Sequence, residues 1–139
     1  MLSQATATTL HAAGVVWTPQ HLDFFAIPGA EFAGQVFVIT DMTITAEALY
    51  GQPAVMFHGT VEWALDHLWL GEVIWLPRED QLRDLLEEQL AAEGADALTL
   101  TTTQTGYRCT IRHQQQTLSF EAFDAAEAYA ATLLHLLAA

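Results

Sequence analysis

The sequence predicts an α+β fold in a single domain over residues 1–139, with about four helices packed on largely antiparallel sheet. Three observations predict it. Leu98 and Leu100, then Tyr107, Cys109 and Ile111, then Leu118 and Phe120 alternate with polar neighbours. That is the period of three antiparallel strands with one face to water. Directly after them, Asp124 and Glu127 resemble a capping box, and Tyr129, Leu133, Leu136 and Leu137 recur at helical spacing. The chain therefore closes as a three-stranded meander followed by a helix. Finally, 139 residues with 52% hydrophobic and only 15% charged side chains can build a core without staples.

The other elements follow in order. Residues 3–13 read as a helix, with Ser3 as N-cap and Gly14 as the stop. "GVVWTP" and "DFFAIPG" read as short strands punctuated by Pro19 and Pro28. "QVFVITDMTI" reads as one longer strand, alternating Phe37 and Ile39 with Val36 and Val38, and "QPAVMFHG" as another. Thr60 would cap a helix whose Val61, Ala64, Leu65, Leu68 and Trp69 form an i, i+3, i+4, i+7, i+8 stripe, ended by Gly71. "EVIWL" supplies a short buried strand. Pro77 then opens a helix with Glu79 and Asp80 in its first turn, where the helix dipole favours anions, and Leu82, Leu85, Leu86 and Leu90 facing inward. Gly94 ends it.

Composition excludes several classes of function. The chain has no lysine, hence no Walker-type phosphate loop, no Schiff base and no lysine base. Cys109 is the single cysteine, so there is no intrachain disulfide and no cysteine-rich zinc or iron–sulfur site. Between Tyr107 and Ile111 it reads as a small core residue. Ser3 and Ser119 are the only serines, and no nucleophile-elbow motif surrounds either. No apolar run approaches the ~18 residues of a membrane span, and the first residues lack the basic and apolar regions of a secretory signal. A cytoplasmic protein that does not insert into membranes is the expectation, with no cofactor implied.

Seventeen acids against four arginines give a net charge of −13, which repels phosphate backbones and argues against direct nucleic-acid binding. The charge is uneven. Residues 62–96 hold ten acids and two arginines, a net of −8, against −4 for residues 1–61 and −1 for 97–139. Glu79, Asp80, Asp84, Glu87 and Glu88 would crowd one helix, relieved in part by Arg83 reaching Glu79 or Glu87. On the neighbouring predicted helix, Trp63 and Leu70 fall together outside the inward stripe, apolar anchors of the kind that dominate interfaces.

A metal reading uses the same stretch. Glu62 and Asp66 are i, i+4 neighbours, His67 is adjacent, and His58 precedes the helix; carboxylate plus imidazole suits zinc, manganese or iron. The spacing gives no HExxH, however, and His67 is turned about 100° from Asp66 on a helix. Acid–base chemistry would need Asp41, Glu62 or His58 to converge in a cleft. His135, between leucines in the last turn, reads as a helix-end cation.

The stretches "AAGVVWTP", "VFVITDMT", "FHGTVEWALDHL", "VIWLPREDQLRDLL" and the closing hairpin and helix resemble a group of small uncharacterised bacterial proteins, some labelled pilus-assembly proteins. The label implies kinship with ATPases that position secretion machinery. The resemblance carries no catalytic motif and transfers no functional residue. The residues themselves predict a non-enzymatic interaction module. It would use the acidic helix and the Trp63 face to hold a basic protein partner or a second copy. The alternatives are a small metal- or ligand-binding enzyme around His58, Glu62, Asp66 and His67, and an acidic mimic of nucleic acid that inhibits a DNA-binding protein.

Overall fold

The computed structural model describes residues 1–40, 43–58, 67–94 and 97–138. The fold is α+β, with three α-helices and three small antiparallel sheets among the described residues. The chain divides into two compact units, one formed by Met1–Val15 with Pro77–Ala139, the other by Val16–Leu76.

In the first unit, helix α1 (Gln4–Ala12) starts where Ser3 Oγ accepts the Thr6 N–H at 3.1 Å, and the chain leaves it at Gly14 with φ +103°. Helix α2 (Glu79–Ala92) buries Leu82, Leu86 and Leu90 of the stripe expected of it, and leaves Leu85 half-buried. Its first turn differs in detail. Pro77 lies one residue before the N-cap, Arg78, whose N–H donates to Gln81 Oε1 at 3.0 Å. The meander forms as read, from β7 (Leu98–Thr102), β8 (Tyr107–His113) and β9 (Gln116–Ala122), in the order β7-β8-β9. Cys109 pairs with Leu100 and Phe120, Ile111 with Leu98 and Leu118, so the apolar residues share one face. Helix α3 (Ala125–Leu137) covers that face. It packs on β8, β9, α2 and α1, and buries Tyr129, Leu133 and Leu136. Cys109 is fully buried, and burial pushes its thiol pKa up, which makes it inert core.

The second unit holds six short strands: β1 (Phe24–Ala26), β2 (Phe37–Val38), β3 (Ile44–Leu49), β4 (Gln52–Phe57), β5 (His67–Trp69) and β6 (Ile74–Leu76). They make two sheets, in the orders β2-β1-β6 and β3-β4-β5. The core is aromatic. Phe25 lies 5.4 Å from Phe37 and 5.8 Å from Trp17 between ring centroids, and Trp75 stacks on Trp17 at 6.3 Å with planes 7° apart. Ile27, Ile39, Val55 and Val73 complete it.

Three expectations are corrected here. "GVVWTP" forms no strand. "QVFVITDMTI" is two separate strands, β2 and the start of β3, with 41–42 outside the described residues. The fourth helix is not matched. His67, Leu68 and Trp69 pair antiparallel with Met56, Val55 and Ala54, and a 3-10 turn over Leu70–Glu72 follows. Residues 59–66, which include the expected Thr60 cap and the rest of that helix, lie outside the described residues. Leu68 and Trp69 fit a helical stripe in the sequence, but β4 offers them a ladder of long-range backbone hydrogen bonds that a local pattern cannot show.

Candidate functional site

Helix α2 sets out the acids. At 3.6 residues per turn, Asp80, Asp84, Glu87 and Glu88 fall in an arc of roughly 100°, opposite the leucine stripe. All four, with Glu79 at the helix start, are exposed. Two have cations beside them. Arg83 Nε donates to Glu87 at 2.9 Å, and its other end to the Tyr129 hydroxyl at 2.9 Å; Arg78 Nε donates to Asp80 at 3.2 Å. Glu79, Asp84 and Glu88 have no cationic partner among the described residues. The outer face of α2 is therefore left with excess negative charge.

Trp63, Glu62, Asp66 and Asp41 lie outside the described residues. Leu70 is half-buried and packs on the second unit's core. His67 is half-buried in β5, with its ring 5.0 Å from that of Trp69. His135 is exposed on α3, 5.2 Å from the Phe120 ring. Among the described residues, no three His, Cys, Asp or Glu side chains come together as a metal site.

Among the described residues, His58 has Thr45 and Glu47 as its polar neighbours. Thr45 Oγ1 donates its one proton to Glu47 Oε2 at 2.6 Å, so the 2.8 Å contact between Thr45 and His58 is donated by His58 Nε2–H. His58 Nε2 also stands 3.3 Å from Glu47 Oε2. The Thr45 hydrogen bond, aided by His58 and opposed by desolvation, holds the Glu47 carboxyl below its usual pKa.

These residues line an open cleft of about 660 Å³ in the second unit, bounded also by Pro19, Gln20 and His21, and by Ile39 and Thr40. Its wall is held from beneath. The buried Asp23 accepts the Trp17 indole N–H at 2.9 Å and the Gln20 N–H at 2.9 Å. Leu22 adopts φ +71°, a strained value for a γ-branched residue, and donates its N–H to Ile39 at 2.8 Å. The sequence carried no signal for this cleft, because its walls come from four separate stretches spread between Pro19 and His58.

A second grouping also escaped the sequence. His113, 7% exposed at the end of β8, has its Nε2 3.2 Å from Glu93 Oε1, just past the end of α2. The pair ties the hairpin to that helix.

No protein-family model matches this chain, and no curated protein or solved structure matches it either. Among the described residues, no helix is long and apolar enough to cross a membrane.

Proposed function

We propose that this chain is a non-enzymatic protein-interaction module whose α2 outer face holds a partner with a basic surface. The observation that carries the reading is the exposed acidic arc of α2, in which Asp84 and Glu88 have no cationic partner among the described residues. Exposed acids of one sign steer a basic partner and set its orientation, and their effect weakens as salt screens them. The proposal rests on α2 alone. Trp63 lies outside the described residues, and Leu70 gives part of its side chain to the core.

The test is affinity capture with the wild-type chain beside the Asp84→Lys/Glu88→Lys variant, followed by Kd measurements on whatever only the wild type retains. The reading expects a basic protein, held less tightly at high salt. In the variant its affinity falls and the salt dependence flattens. If both chains retain the same proteins with the same Kd, α2 is only a solvated face and the reading is wrong.

A further inference from the structure

The cleft in the second unit has a feature that side chains alone do not reveal: one wall is an edge strand with open backbone groups. β3 is at the edge of its sheet, and its six residue pairs with β4 run without a bulge. The phase of that ladder is fixed by the His58 N–H, which donates to the Thr43 carbonyl at 2.8 Å. In an antiparallel pair, hydrogen-bonded and non-hydrogen-bonded residues alternate. Thr45, Glu47 and Leu49 therefore turn their backbone groups toward β4, and Ile44, Ala46 and Ala48 turn theirs outward. The outward Ile44 carbonyl is taken by the Thr40 N–H at 2.6 Å. The N–H and C=O of Ala46 and Ala48 have no partner among the described residues, and Ala46 lines the cleft.

We propose that this cleft seats an extended, basic peptide segment of a partner protein, added as a strand to the edge of β3. An outward row of N–H and C=O groups is recognised by another extended backbone. The usual guards of an edge (proline, lysine, a bulge) are missing from Ile44–Leu49. Side chains of the guest alternate between the two faces of the sheet. On one face they meet the Glu47 carboxylate beside Thr45 and His58, which selects arginine or lysine. On the other they lie over Ala46 and Ala48, small and exposed, with Ile39 alongside, which leaves room for apolar groups. A second copy of this chain is a poorer guest. With the Ile44 carbonyl already taken, the register that uses the open groups of Ala46 and Ala48 on both strands sets Ala46 against Ala48 and so puts Glu47 opposite Glu47 of the second copy. Like charges directly opposite destabilise a pair, here between two chains of net charge −13 each.

The test measures fluorescence anisotropy with a capped, labelled pentapeptide alternating valine and arginine. Its comparators carry glutamate for arginine or N-methyl groups on alternate amides. The proposal expects binding of the first peptide and loss of binding for both comparators. Ala46→Pro removes an N–H that takes no part in the β3–β4 ladder, so the fold tolerates it at an edge, and peptide affinity falls by about tenfold. Glu47→Gln reduces the preference for arginine over glutamate. Asp84→Lys/Glu88→Lys leaves binding unchanged, which separates this site from the α2 face. Equal affinity for the N-methylated peptide would reduce the interaction to charge attraction and overturn the proposal. So would no binding of the first peptide, or a wild-type dimer in sedimentation that Ala46→Pro makes monomeric.

Discussion

The carboxylate of Glu127 accepts the backbone N–H of Ser3 at 2.9 Å, so the third residue of α3 caps the start of α1. Its other oxygen accepts the Thr6 hydroxyl at 2.8 Å. In the sequence, Asp124 and Glu127 look like a box closing on one helix. Asp124 does its half, accepting the Glu127 N–H at 2.9 Å. Glu127 instead joins two helices that lie more than 110 residues apart.

Removing that carboxylate should loosen α1 alone. Glu127→Ala deletes two hydrogen bonds to a charged acceptor at a half-exposed site, a loss of about 1–2 kcal/mol. Amide exchange in Gln4–Ala12 should speed up accordingly, while Cys109 and Ile111 in β8 keep the protection of the wild type.

Asp124 makes stability depend on pH, and the direction can be worked out. Burial raises its pKa, but the Glu127 N–H and the Met1 ammonium at 3.0 Å outweigh burial, and the group lies below its usual 3.8. A carboxyl depressed in the folded state stabilises fully above its unfolded pKa, and that gain disappears as pH falls through the folded value. Asp124→Asn keeps a capping oxygen and loses the charge. Its melting temperature should sit slightly below that of the wild type at neutral pH, and the two should converge as the pH falls below the usual carboxylate range. Asp124→Ala also loses the cap and should cost about 1 kcal/mol at either pH. Parallel pH profiles for all three proteins would refute the charge contribution.

Gly106 turns the chain between β7 and β8 at φ +155°, where a side chain would collide with the carbonyl oxygen of Ala122. Thr103 donates its N–H to the Gly106 carbonyl at 2.8 Å, so the turn has little room to shift. Gly106→Ala should lower stability by more than about 2 kcal/mol, read from the urea midpoint with an unchanged m-value.

Tyr129 is buried, and its hydroxyl accepts from Arg83. Tyr129→Phe should cost about 1 kcal/mol. Arg83→Ala loses the Glu87 pair as well and leaves the hydroxyl unpaired. A double-mutant cycle on the two should return a coupling of similar size to the single hydrogen bond.

The contrast between the units explains what the sequence made legible. α1, α2, α3 and the meander are governed by local rules: caps at Ser3 and Asp124, a leucine stripe, alternation at Cys109 and Ile111. These rules are written in neighbouring letters. The second unit is made of strands of two to six residues, too short for a period to declare itself. There, Leu68 finds Val55 and Phe25 finds Trp75 across the chain, and only the pairing decides between strand and helix. Gln114 and Gln115, with φ of +51° and +65°, form a two-residue hairpin turn without glycine or asparagine, which also defeats turn rules based on composition. The acids of α2 were legible because they are a helix face. The cleft was not, since the open groups of Ala46 and Ala48 belong to the backbone and leave no mark on residue type.

The division of the chain has an optical consequence. Trp17, Trp63, Trp69 and Trp75, all four tryptophans, fall within Val16–Leu76. The three α-helices among the described residues belong to the other unit. Indole emission and circular dichroism at the helix band thus report on different halves of one molecule, without any label. If the two signals melt together, the halves fold as one cooperative body; if they separate, each curve gives the stability of its own half.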